Sequence, residues 1–425
     1  MHQPFPGGIE MPEIPRANRF ESSLSLLGEG YPFIRDRCRH LHSNIFQTRL
    51  LMQNTICISG EDAARLFYDE RYMQRAHAAP RILTKTLTGQ GGVQGLDGEA
   101  HRQRKRMFLQ LLAPTEVDRL VQLVEQDWRS ALGPWSQMER LVLLEQLQTI
   151  LARSVCLWAG VPLAESELEA RRDQLASMID GAGGVGARQL QARRARREAE
   201  AWAGGLVEQV RAGQLMVDPQ CALMAVARHL DADGKPLQTH VAAVELLNLL
   251  RPTVAVSRFI VFAALELLTH PEWRERLRDD DAELEPFAQE VRRLYAFFPF
   301  MAARVREAFT WQGYRFPKGT RVLLDLWGTN REVGRWDEPE RFRPERFRDW
   351  DGNPFTFVTQ GGGDPAAGHR CPGEPLAIEL LKAALRMLTR EMTYEVPAQD
   401  LRVDLTRMPA QPKSGLLISE VRALN

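Results

Sequence analysis

One stretch restricts the folds open to this chain more than any other: Val241 to Leu268, VAAVELLNLLRPTVAVSRFIVFAALELL. Its apolar residues run around the whole helical surface instead of forming one stripe, and only Glu245, Asn248, Arg251, Arg258 and Glu266 interrupt them. Such a helix is too charged for a good membrane span and too apolar for a surface position, so it is expected to cross a protein core. Near its middle, Arg251 and Pro252 are adjacent. A proline inside a helix costs about 3 kcal/mol and frees a carbonyl. A buried guanidinium is expensive unless something anionic pairs with it. Two such costs side by side mark a candidate functional site. The alternative is a kink whose arginine reaches solvent or pairs with Glu245 or another acid.

The second landmark is the loop Phe357 to Glu374, FVTQGGGDPAAGHRCPGE, which runs into the apolar helical segment LAIELLKAALRML. Gly361, Gly362 and Gly363 give backbone freedom, and Gly368 and Gly373 flank Cys371 closely enough for a bulky planar group to rest on main chain. A thiolate just before a helix meets unpaired N–H groups and the positive end of the helix dipole, which suits a metal ligand. A structural cysteine in a turn is the plain alternative.

Elsewhere, ICISGEDAARLFYD reads as a strand and then a helix starting near Gly60, and TGQGGVQGLDG (Thr88 to Gly98) reads as a glycine-rich loop. Helical periodicity dominates EAHRQRKRMFLQLL, TEVDRLVQLVEQDWRSAL, ERLVLLEQLQTILARSVCLWAG and ESELEARRDQLASMID. GAGGVG at Gly181 to Gly186 fits a dinucleotide-binding pattern by letters, but a helix precedes it where that motif needs a strand, so it is read as a turn. The basic run QARRARREAEAW is read as a solvated helix face. AELEPFAQEVRRLYAFFPF is expected to be a helix ending near Pro299, with Glu290 and Arg293 on one face. REAFTWQGYRF and TRVLLDLW, separated by a turn at Pro317 to Gly319, and then MTYEV, LRVDL and KSGLLISEV, read as strands of a small β region. No repeat, linker or charge block divides residues 1–425, which are read as one domain.

Lysine plus arginine and aspartate plus glutamate both number 55, so no global field recruits nucleic acid or an acidic membrane. The five cysteines are scattered, with no CxxC pair and no zinc-like spacing, which points to a reducing, cytoplasmic setting. The start, MHQPFPGGIEMPEIPRANRF, has no signal-peptide core and no membrane anchor is expected.

Taken in order, Glu290 and Arg293 of an ExxR helix, Arg346 of a PERF segment, and the Cys371 loop followed by a helix resemble the cytochrome P450 superfamily across nearly the whole chain. That resemblance implies a mainly α fold with a small β region, haem b (iron protoporphyrin IX) as cofactor, and Cys371 as its thiolate ligand. Glu290, Arg293 and Arg346 are then a structural network behind the haem. Two departures narrow the branch. Arg251 and Pro252 stand where an acid–alcohol pair is usual, and Phe357 lies fourteen residues before the cysteine instead of seven. Together with QGGGD, GHRCPGE, KTLTGQGGVQGLDGEAHR, RPTVA and FFPF, these features resemble the bacterial fatty-acid peroxygenases. Pro365 and Pro375 differ from residues common in that branch, histidine and tryptophan, and bear on local packing.

The branch implies an enzyme that uses hydrogen peroxide directly, without a redox partner, on long-chain fatty acids. Splitting the peroxide bond needs a proton taken from one oxygen and delivered to the other. A substrate carboxylate paired with Arg251 is expected to supply that group, with Pro252 opening space beside it. By resemblance Gln94 lies over the haem, and as glutamine rather than histidine it tilts the expectation toward 2- or 3-hydroxy acids over terminal alkenes. Thr88, Val185 and Phe298 are expected to line the pocket, and His101 and Lys105, four apart on one helix, to meet the haem propionates together with His369, a solvated basic face being the alternative for the first two. A partner-dependent P450 monooxygenase is the rival enzyme, and a haem sensor or carrier the rival outside catalysis.

Overall fold

The computed structural model describes residues 12–424. The first eleven residues of the N-terminal stretch MHQPFPGGIEMPEIPRANRF therefore lie outside the described part. Most of the chain is helical, and the largest apolar core is built by the helices Pro114–Ser136, Leu143–Ala159, Thr239–Ala255, Ser257–Thr269 and Glu374–Arg386. The Val241 to Leu268 stretch runs through that core. By length and composition Thr239–Thr269 could cross a membrane, but 83% of its most apolar window is buried inside the protein.

The stretch is two helices, Thr239–Ala255 and Ser257–Thr269, meeting at Val256. Pro252 has no N–H to give back to the preceding turn. The turn after it tightens, with Val256 N donating to Thr253 O at 3.1 Å, and Thr253 and Ser257 hydroxyls donate to Leu249 O (2.9 Å) and Val254 O (2.7 Å). Hydroxyl back-bonding of this kind bends helices.

A six-stranded sheet packs beside the helical body in the order Arg16–Glu21, Ile45–Leu50, Gln53–Ser59, Arg321–Asp325, Phe300–Val305, Met73–Gln74. Its centre is the parallel pairing of Ile56 with Val322 and Ile58 with Leu324, where β-branched and leucine side chains fill a second core. The strand ends at Ser59, Gly60 turns the chain at φ 96°, and the helix Glu61–Phe67 follows, as the sequence predicts. Smaller sheets pair Phe309–Trp311 with Tyr314–Phe316, and Met392–Glu395 with Leu417–Ala423 and Leu141–Val142.

Two expectations need correction. The ExxR helix, Leu284–Leu294, stops before Tyr295, because Phe300–Val305 joins the sheet and the intervening AFFP turns the chain. LRVDL forms only an isolated bridge, Val403 to Pro412, since Asp400 and Asp404 accept from the backbone N–H groups of Arg402 (3.1 Å) and Thr406 (2.9 Å) and turn the segment locally.

The strand Arg321–Asp325 ends in a buried acid that makes a pH prediction. Asp325 accepts from Gly328 N at 2.7 Å, where a Cβ would lie 2.0 Å from its Oδ2, and from the Ser59 hydroxyl at 3.3 Å. Burial pushes its carboxyl up to about 7. The folded state therefore holds a proton that the unfolded chain releases near pH 4, and this group's contribution falls as pH rises from about 4 to about 7, by on the order of 4 kcal/mol. Urea unfolding of Asp325→Asn across that window is expected to lose this component of the slope. A variant whose pH dependence matches the wild type would contradict the assignment.

Candidate functional site

Cys371 sits where the glycine loop turns into the helix Glu374–Arg386. Its N–H donates to Gln360 O at 2.9 Å. Gly361 adopts φ 102°, and a Cβ there would press against Arg370 Cα at 3.0 Å, while one at Gly362 would meet Pro354 O at 2.6 Å. These close approaches explain the run of glycines. Burial pushes the thiol up; the Gly373 N–H, the Gln360 side chain and the Lys105 ammonium act in the opposite direction and favour thiolate.

Behind the loop lies the expected ionic network. Arg293 grips Glu290 with two bonds (2.6 and 2.8 Å) and donates to the carbonyls of Asn330 (2.9 Å) and Pro339 (2.8 Å). Arg346 Nε reaches the same carboxylate at 3.2 Å, and Arg343 N at 2.8 Å. Glu290 and Arg293 are fully buried. Sequence reasoning missed a second network beside it. Arg292, also fully buried, pairs with Glu374 at the start of the cysteine helix and donates to Gln360 Oε1 at 3.1 Å; Arg370 joins Glu374 at 2.5 Å. Thr359 bridges Arg292 O (2.9 Å) and Asn330 Nδ2 (2.7 Å). The loop is thus held by the ExxR helix on one side and by its own helix on the other.

Lys105, on the helix Gly98–Leu111, donates to Arg370 O at 2.8 Å and to Gly368 O. Burial lowers it to about 8, against the pull of Cys371. His101 and His369 stack with centroids 3.9 Å apart, and His369 Nε2 lies 3.6 Å from Asp97 Oδ1. Burial, with the neighbouring His369 and Lys105 charges, lowers His101 to about 3. The three expected propionate partners are therefore brought together beside the loop, and His101 and Lys105 are buried instead of forming a solvated face.

Arg251 is 6% exposed, on the central helix. Its Nη2 donates to Asn248 Oδ1 at 3.3 Å, and Nη1 has no partner among the described residues. The expected alternative, a pair with Glu245, is not made, because Glu245 is taken by Arg104 at 2.7 Å. Burial and the nearby Arg196 push Arg251 down to about 9, while Cys371 and Glu245 pull it up. Gln94 lies in the short turn Val93–Gly95 and accepts from Asn248 Nδ2 at 3.2 Å. Thr88 is half-buried at the end of the π-helical turn Thr84–Thr88, and Phe298 is half-buried edge-on to Phe297, 5.0 Å between centroids. Val185 is 61% exposed in the glycine turn before the helix Ala187–Arg211.

The residues fit haem b. Around a thiol with a glycine cradle stand buried nitrogens that make no hydrogen bond among the described residues: Arg75 Nε, His101 Nδ1 and His369 Nε2. A group that takes a thiolate through iron and brings carboxylates of its own answers both needs.

A family model described as "Cytochrome P450" matches residues 253–419. Cytochrome P450SP alpha in complex with (R)-ibuprophen superposes with a TM-score of 0.93 at 45% identity, over 95% of this chain and 99% of that one. Cytochrome P450EX alpha with myristic acid gives 0.93 at 42% identity, over 97% and 100%. Ligand-free cytochrome P450 OleT gives 0.94 at 30% identity, over 97% and 99%. Among curated relatives, cytochrome P450 71A8 of Mentha piperita is 32% identical over 172 residues, so the match spans 33% of its length and 35% of this chain. The chain belongs to the cytochrome P450 superfamily, in the fatty-acid peroxygenase branch that holds P450SP alpha, P450EX alpha and OleT, and its cofactor is haem b.

Proposed function

We propose that this protein is a haem-thiolate peroxygenase that uses hydrogen peroxide to hydroxylate long-chain fatty acids at the α or β carbon. The observation that carries the reading is Arg251: a buried guanidinium with a free Nη1 and, among the described residues, no carboxylate of its own. When bound through Cys371, haem supplies the oxidising centre, and thiolate donation to iron favours cleavage of the peroxide bond.

The chain's own residues supply the rest. Arg251 stays protonated at neutral pH even at its lowered value, and an arriving carboxylate pairs with it. Two N–H groups facing two oxygens hold the acid in one orientation. The carboxylate so held takes the proton from one peroxide oxygen and returns it to the other, work for which Arg251 and Pro252 themselves have no suitable group. Anchoring the acid at its head brings the α and β carbons closest to the oxidant. Gln94, a neutral amide tied to Asn248, borders the same space and favours hydroxylation over loss of carbon dioxide. The likeness to P450EX alpha with myristic acid supports a fatty-acid substrate, and the five free cysteines support a cytoplasmic setting.

Mass spectrometry of products from myristic and palmitic acid tests the reading. With hydrogen peroxide alone, 2- or 3-hydroxy acids are expected. Terminal alkenes as the main product would favour decarboxylation. Turnover only with NAD(P)H and electron-transfer proteins would replace the reading with a partner-dependent monooxygenase, and peroxide loss with no oxidised acid would favour a sensor or carrier.

A further inference from the structure

Six residues before Arg251 on the central helix, Glu245 is completely buried. Three donors converge on it: Arg104 Nη1 at 2.7 Å, the Val93 N–H at 2.8 Å and Asn248 Nδ2 at 2.8 Å. Each comes from a different wall of the site. Val93 precedes Gln94 in the glycine loop. Asn248 lies between Glu245 and Arg251, and Arg104 also holds Gly91 O (3.3 Å) and Asp231 (2.7 Å).

The chemistry of these groups sorts their orientation. An ionised carboxylate only accepts, so the NH2 of Asn248 must face Glu245. Its Oδ1 then faces the other way, toward Arg251 Nη2 at 3.3 Å. The same NH2 reaches Gln94 Oε1 at 3.2 Å. The acid therefore decides that Arg251 meets an acceptor at Nη2, while Nη1 has no partner among the described residues. Through Val93 it also ties the loop carrying Gln94 to the helix carrying Arg251. Gly92 permits the approach, because a Cβ there would meet Val244 at 2.9 Å and Asn248 Nδ2 at 3.1 Å.

We infer that Glu245 is a positioning residue for this site, held by Arg104 and acting through Asn248 and Val93. It sets the placement of Arg251 relative to Gln94, and so the carbon of the bound acid that is presented for oxidation. The inference rests on the peroxygenase reading for its substrate.

The test uses the haem-loaded enzyme with Glu245→Gln and Asn248→Ala. In Glu245→Gln the new NH2 competes to face Asn248 and turns that amide, setting donor against donor at Arg251. Asn248→Ala cuts the link to Arg251 but leaves Glu245 with Arg104 and Val93, and so guards against a misfolded first variant. Both variants are expected to retain haem, to bind myristate about tenfold more weakly by calorimetry without peroxide, and to shift the ratio of 2- to 3-hydroxy product several-fold. Glu245→Gln should also speed amide exchange at Val93 to Gly95. Haem-replete variants with unchanged affinity, ratio and exchange would overturn the inference. If wild-type enzyme binds myristate but oxidises none, the functional reading fails, while affinity and loop exchange still decide the positioning role.

Discussion

Arg251→Ala is expected to abolish oxidation of long-chain fatty acids with hydrogen peroxide while haem content and folding stay near wild type. Among the described residues the guanidinium makes one bond, to Asn248, and none to a carboxylate. Removing it strands no buried anion, unlike loss of a paired partner. Its burial is a cost to the folded state, so the variant is predicted to unfold no more readily than the wild type. The loss falls on substrate: without the cation, a fatty-acid head has no charge to pair with, and the acid–base group it carries is not held where the peroxide bond breaks. Turnover should drop by at least about a hundredfold, the usual range for a missing acid–base group. Short carboxylic acids separate binding from chemistry. Added with peroxide to the wild type, they should permit oxidation of a small substrate that lacks an acid group; added to Arg251→Ala, they should not. Retained fatty-acid turnover in the variant, or no effect of short acids on the wild type, would sink the mechanism.

What the sequence made legible was set by distance along the chain. Glu290 and Arg293 share a helix face, and the glycines around Cys371 announce a close backbone approach, so both were readable from local spacing. The central helix was readable because its composition leaves it nowhere but the core. The partners of the charged residues were harder to find. Glu245 was weighed against Arg251, its helix neighbour, yet it pairs with Arg104, 141 positions away. Glu374 and Arg292 are 82 apart, and Arg292 beside Arg293 carried no signal to distinguish two roles for two adjacent arginines. Periodicity reports which face of an element is apolar; it does not report which distant element supplies the counter-charge. LRVDL departs for a related reason: it alternates like a strand, but Asp400 before it and Asp404 within it bond to nearby backbone N–H groups.

Glu290→Ala is expected to produce the opposite signature from Arg251→Ala. Glu290 is the common acceptor for Arg293, Arg346 and the Arg343 N–H, and both it and Arg293 have no exposure to solvent. Truncation leaves a buried guanidinium without its carboxylate, a change that costs about 3–5 kcal/mol. That is a large fraction of the stability of an ordinary domain. The damage is directed: Arg293 also donates to Asn330 O, and Asn330 in turn holds Val358 N at 2.9 Å and Thr359 at 2.7 Å, at the head of the cysteine loop. Disorder starting at Glu290 thus reaches the segment that presents Cys371. The variant should purify with little haem and a lowered melting temperature, and whatever fraction retains haem should bind myristate as the wild type does, because Arg251 is untouched. Glu290→Gln, which keeps an acceptor for Arg343 N but gives up the charge, should fall between. A Glu290→Ala protein with full haem and unchanged melting would show that the network is dispensable. Full haem with weakened myristate binding would couple it to the Arg251 side and overturn this division of labour.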